Sequence, residues 1–155
     1  MAETDPTRVV ADADVLAADL LVGGPAREAL DHVRAHDWLS LVASDPLIDD
    51  AAAVVTDLAS EDLETAWRKR IENARRRVEH PAGDHPALAS AVAGGAGHVL
   101  TFDERLTDPK VGATLRKYAI SVRTPAAFVT VFDPAAVYEG FVGEDYPGPD
   151  ADPRA

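Results

Sequence analysis

The 155-residue chain has no cysteine, which removes disulfides, thiolate metal ligation and a cysteine nucleophile together. Lysine is nearly missing as well: Lys69, Lys110 and Lys117 stand against 12 arginines. No apolar run approaches the roughly 18 residues that a membrane span needs. The start, Met-Ala-Glu-Thr-Asp-Pro-Thr-Arg, is acidic and polar, without the basic start followed by an apolar stretch that marks a secretory signal. A cytoplasmic protein with no membrane association is therefore the expectation.

Apolar residues make up 46% of the chain and charged residues 27%, the balance of a globular protein. The length suits one domain with a proper core. The formal net charge is −12, and 18 of the 27 acids are aspartate. An acidic surface almost free of lysine suits a chain kept soluble in concentrated salt, where repulsion is screened over a few ångströms. A halophilic cytosol is one reading and an ordinary acidic protein the other. At first sight the charge opposes a nucleic-acid partner.

Arg8-Val9-Val10-Ala11 is a short apolar, β-branched run ending at Asp12 and reads as a buried strand. A helical pattern from Val15 breaks at Gly23-Gly24-Pro25 and resumes from Ala26 to His36. Trp38 to Ala43 is a second strand, after which Ser44 caps a helix to Leu58. Ser60 opens a longer helix, read as far as Glu79, and His80-Pro81-Ala82-Gly83 breaks it. Asp84 precedes a helix from Pro86 to Ala93, and His98 to Phe102 is a third strand closed by Asp103. A helix over Val111 to Tyr118, a strand over Ala119 to Val122 and a helix from Thr124-Pro125 to Phe132 complete the pattern. Strands alternating with helices mean βαβ units, hence a three-layer α/β/α sandwich around a parallel sheet of four to five strands. One domain is expected over residues 1–138. Residues 139–155, rich in Asp, Gly and Pro, read as a flexible acidic tail.

Asp12 and Asp103 both follow the carboxyl end of a strand, the edge at which open parallel sheets bind ligands. Asp50 and Asp84 lie at or near helix termini in connections able to face that edge. Magnesium and manganese take oxygen ligands, usually one or two carboxylates plus waters. Crowded carboxylates cannot all stay ionised without a cation between them. From spacing alone, Asp84 could equally be a helix cap, and Asp49 and Asp50 a solvated helix start.

The segment Val9-Val10-Ala11-Asp12-Ala13-Asp14-Val15-Leu16 resembles the first strand of PIN-domain nucleases. Ser44-Asp45-Pro46-Leu47-Ile48-Asp49-Asp50 is similar to that family's second motif, a serine followed six residues later by a helical acid, there usually glutamate. Asp84-His85-Pro86-Ala87-Leu88-Ala89-Ser90-Ala91 resembles the third. Val99 to Leu106, with Thr101-Phe102-Asp103, looks like the fourth, where the middle residue is commonly small, and Ile120 to Phe128 like the closing strand and helix. The likeness runs from about residue 8 to residue 132.

The resemblance implies a Mg²⁺- or Mn²⁺-dependent endoribonuclease acting on single-stranded RNA. Its metal would ionise a water and stabilise charge on the attacked phosphate. It implies Asp12 and Asp103 as direct ligands, Asp84 at a second ion or the water, and Asp50 acting directly or through water. Asp14 and Thr101 would hold the ligands in place. The family often dimerises, and some members are toxins paired with an antitoxin protein. A PIN-like module without activity, serving RNA or protein binding, is the alternative, favoured by aspartate at position 50 and by the acidic surface.

Six of the 15 basic residues fall in Arg68-Lys69-Arg70 and Arg75-Arg76-Arg77. If the helix continues to Glu79, the triplets stack two turns apart. Arg68, Arg75 and Arg76 then become RNA-contact candidates; alternatively, Glu64–Arg68 and Glu72–Arg76 are i,i+4 pairs supporting a surface helix. His32, His36, His80, His85 and His98 show no ligand spacing beyond His32/His36, which reads as surface. Trp38 and Trp67 read as core. Asp12-Ala13-Asp14 also suits a haloacid-dehalogenase-type phosphatase, but Leu16 stands where that fold needs threonine or valine.

Overall fold

The computed structural model describes residues 4–79, 85–115 and 118–153. Five strands form one wholly parallel sheet: β1 (Asp5–Ala11), β2 (Ser40–Ser44), β3 (Arg75–Val78), β4 (Ala96–Leu100) and β5 (Ser121–Arg123), in the order β3-β2-β1-β4-β5. Among the described residues eight helices connect and follow them: α1 (Ala13–Leu21), α2 (Gly24–Arg34), α3 (Asp45–Leu58), α4 (Glu61–Ala74), α5 (Pro86–Gly94), α6 (Pro109–Leu115), α7 (Pro125–Val131) and α8 (Pro134–Val142). The expected α/β architecture holds.

The β-branched runs become the central strands because they are covered on both faces. Val9, Val10, Ala11, Val42, Ala43, Val99 and Leu100 are all fully buried. Crossover connections carry the chain from β1 outward to β3 and then back past β1 to β4. The order of travel therefore reverses between β1 and β4, which pair in register at Val10–Val99 and Ala11–Leu100. A crevice at the carboxyl end of such a pair is the general ligand position of the fold.

Two features lock α5 against the sheet. A Cβ on Gly94 would lie 2.5 Å from the Val42 Cγ1 methyl, so only glycine lets the helix end come this close. One turn into the same helix, the buried Ser90 hydroxyl donates to Ser44 Oγ (3.0 Å) and accepts the Ser44 N–H (3.1 Å). Ser44 Oγ in turn caps α3 by accepting the Leu47 N–H.

The long helix read from Ser60 to Glu79 stops at Ala74, and Arg75–Val78 is an edge strand pairing with β2 from Leu41–Arg75 to Ser44–Val78. An Arg-Arg-Arg-Val run with acids before it has no apolar alternation, so the strand is invisible to periodicity. Charged residues suit an edge strand, where they discourage further pairing. Asp45 accepts from both Arg75 and Arg77, which hold its carboxyl well below the usual carboxylate range. Arg75, whose side chain is 3% exposed, also binds Glu72 and the Ala43 carbonyl. The seam between α4, β3 and α3 is thus ionic where a core would be apolar.

The carboxyl-terminal segment differs from the flexible tail expected of it. Helix α8 crosses the boundary placed at residue 138. Beyond it, the Asp150 and Ala151 N–H groups donate to the Ala35 carbonyl, and the Asp150 carboxylate accepts the Asp37 N–H. His36, read as a surface residue, is 3% exposed. Its Nδ1 must carry the proton, because its partner at 2.6 Å is the His32 carbonyl. Nε2 therefore accepts from the Tyr146 hydroxyl, also at 2.6 Å. Trp67 is buried as expected, while Trp38 is half-buried between the rings of His36 and Tyr138. No helix among the described residues is long and apolar enough to cross a membrane.

Candidate active site

The sheet itself positions Asp12 and Asp103. Beyond the last residue of β1, the Asp12 N–H still donates to the Leu100 carbonyl (2.8 Å), and the Thr101 N–H donates to Arg123 (3.0 Å). The ladder thus runs one residue past each strand and delivers Asp12 and Thr101 side by side at the crevice. Asp12 is 9% exposed and Thr101 fully buried.

Thr101 joins the two acids. Its hydroxyl donates to Asp12 Oδ2 (2.8 Å) and accepts the Asp103 N–H (3.0 Å), so one side chain sets both positions. Asp12 Oδ1 accepts the Ala13 N–H (2.8 Å) and caps α1, where the positive end of the helix dipole favours a carboxylate. Among the described residues Asp12 has no cationic partner, and its two hydrogen bonds leave further lone pairs on both oxygens. Those lone pairs are what a bound cation would use.

Asp103 differs. Its Oδ1 accepts from the backbone N–H (2.9 Å) and Nε (3.1 Å) of Arg105, and its Oδ2 from Nη2 of the same residue (2.8 Å). That clamp is the main reason its pKa falls to about 2, with His85 adding a smaller electrostatic contribution. His85 precedes Pro86 at the start of α5, so the first turn of α5 lies near Asp103.

The remaining candidates stand as follows. Asp84 lies outside the described residues. Asp50 is exposed on α3 and forms no hydrogen bond or ion pair with Asp12 or Asp103, while its neighbour Asp49 pairs with Arg68 (3.0 Å). Asp14 is exposed in the first turn of α1 and makes no hydrogen bond to Asp12 among the described residues; Asp12 is held by Thr101 and by the Ala13 N–H. Among the described residues no group of three or more Asp, Glu or His side chains gathers to hold a metal. Two carboxylates are nonetheless within the usual protein share of a magnesium shell, which is otherwise water.

The arginine ridge does not form as one helical face. Arg68 binds Glu64 (2.8 Å) and Asp49, and Arg75 is buried in the seam described above with Glu72, which the i,i+4 reading had assigned to Arg76. Arg76 is exposed, and with Arg70 it lines a cleft of about 860 Å³ between α2 and α4. That cleft is floored by Leu41 and Trp67 and lies toward the beginning of β2, away from Asp12.

Arg105 and Ser90 are the functional-looking residues that periodicity passes over. Arg105 sits at i+2 from an acid, an ordinary surface spacing. Ser90 sits in an alanine-rich helix, where its only signal is being the one hydroxyl on the buried face.

The chain belongs to a family of unknown function, DUF7384, whose model matches residues 3–154. No curated protein and no solved structure matches it.

Proposed function

We propose that this member of DUF7384 is a divalent-metal-dependent endoribonuclease acting on single-stranded RNA in the cytoplasm. The observation that carries the reading is the buried Asp12 carboxylate, without a cationic partner among the described residues, at the reversal point of the sheet and tied through Thr101 to Asp103. The PIN-like order of motifs supports it, since both acids and the threonine come from those motifs.

In this reading Asp12 and Asp103 hold Mg²⁺ or Mn²⁺, and the ion's contribution when bound is to make a water nucleophilic at neutral pH. Asp12 presents its free lone pairs from a fixed position, since Thr101 and the α1 amino end leave its carboxylate little freedom. Thr101 keeps Asp103 in register by holding its backbone N–H. Asp84 and Asp50 are the further acids that the motif order assigns to the same edge.

The test is cleavage of a fluorophore-labelled single-stranded RNA, with Mn²⁺, with excess chelator, and with Asp12→Asn. Asparagine can still cap α1, so the variant should fold and lose cleavage. Cleavage that persists in the variant or with chelator would refute the proposal. The second reading, a PIN-like module that binds without cleaving, is favoured by Asp50, exposed on α3 and unconnected to Asp12. It predicts metal and RNA binding without turnover.

A further inference from the structure

Arg105 is bound to Asp103 through both carboxylate oxygens, yet its side chain is 87% exposed. Its guanidinium forms no other hydrogen bond or ion pair among the described residues. A group held by a single partner and otherwise in water is free to leave when that partner finds a better one. Arg105 occupies both oxygens of Asp103, the same oxygens that a divalent ion would need in the metal-nuclease reading. Two cations compete there for one carboxylate. Between Thr101 and Asp103 stands Phe102, 45% exposed although aromatic. An aromatic ring left in water beside a charged site is a surface on which a nucleobase can stack.

We infer, resting on the metal-nuclease reading, that Phe102 and Arg105 form a nucleotide-binding pair flanking Asp103, with Arg105 released to the RNA phosphate when metal takes the carboxylate. Before metal arrives, the guanidinium offsets the charge of Asp103. Once displaced, it remains tethered two residues away, a planar donor suited to bidentate phosphate contact. Phe102 receives a base on the other side of the same acid. The device places positive charge at the substrate only after the metal site is filled, which suits a protein whose net charge is −12. It also gives the preference for single strands a cause, since a base must be unpaired to lie on Phe102.

The experiment measures two affinities in each of three proteins: wild type, Arg105→Ala and Phe102→Ala. Mn²⁺ binding is followed by calorimetry. Binding of a short 2′-O-methyl oligoribonucleotide, which resists cleavage, is followed by fluorescence anisotropy in the presence of Mn²⁺. Losing an exposed competitor should tighten Mn²⁺ about 2- to 5-fold in Arg105→Ala, the equivalent of a surface ion pair. The same variant should bind the oligonucleotide more weakly, by roughly 10-fold or more for a charge-assisted phosphate contact. Phe102→Ala should leave Mn²⁺ unchanged and weaken the oligonucleotide at least about 5-fold. A residue with only a structural role would not move the two affinities of Arg105→Ala in opposite directions. If the wild type binds Mn²⁺ but Arg105→Ala binds it equally or more weakly, the release of Arg105 is overturned and the metal reading stands. If the oligonucleotide affinity is unmoved in both variants, the nucleotide pair is overturned. A wild type that binds no Mn²⁺ overturns the metal reading, and this inference with it.

Discussion

His98 offers a quantitative handle on the core. It lies at the middle of β4, edge-on to the rings of Phe128 (5.5 Å) and Phe132 (5.9 Å), and its buried Nδ1 has no hydrogen-bond partner among the described residues. Burial among these rings disfavours the imidazolium, and Arg123 adds like-charge repulsion; a hydrogen bond to the Pro6 backbone works the other way. The pKa falls from 6.5 to about 4. The unfolded chain therefore takes up a proton near pH 6.5 that the folded protein refuses until about pH 4. The resulting stability is full above the unfolded pKa and drains away as the pH drops between those values. At 1.36 kcal/mol per pH unit, going from about pH 7.5 to about pH 4.5 should cost roughly 2.5 kcal/mol. For a chain of this size that is a fall in Tm of about 5–10 °C. Thermal melts of the wild type and His98→Leu across this range isolate the effect, because every other titrating group is common to both. The variant's curve should be flatter by the stated amount. Parallel curves would refute the claim that His98 is held neutral by its surroundings.

Other perturbations probe other parts of the account. Thr101→Val keeps the shape of a buried side chain but strands Asp12 Oδ2 and the Asp103 N–H, so urea denaturation should show a loss of about 1–3 kcal/mol. Mn²⁺ affinity should fall with it, and unchanged stability and affinity would contradict the bridging role. Gly94→Ala drives a methyl into Val42 and should cost about 1–3 kcal/mol by the same assay. Arg75→Ala removes the guanidinium shared by Asp45, Glu72 and the Ala43 carbonyl, and amide exchange should rise along β3 before it rises in β1. Tyr146→Phe deletes the donor to His36 Nε2, and a proteolytic cut beyond residue 142 should then come sooner than in the wild type.

Much of the site could be read from the sequence because the sheet creates it locally. Short β-branched runs ending in Asp12 and in Thr101-Phe102-Asp103 are strands, and a parallel order puts their carboxyl ends together. The joining hydroxyl, Thr101, is two residues from one acid and touches the other only through the β1–β4 pairing. Tertiary contacts decided what was missed. Arg75–Val78 is a strand only because Leu41 to Ser44 is there to pair with it. The docked carboxyl-terminal segment depends on His36 and Ala35, more than a hundred residues earlier. The clamp by Arg105 depends on a rotamer, which spacing does not encode.

The central claim is that Asp12, buried and without a cationic partner among the described residues, is completed by a metal ion. Calorimetric titration of Mn²⁺ into the wild type, Asp12→Asn and Asp103→Asn, in high KCl to suppress loose association with the acidic surface, tests this most directly. The account predicts saturable binding to the wild type, weakened at least about tenfold in each variant, as for loss of groups that hold a metal. Equal binding by all three proteins, or none by the wild type, would contradict it.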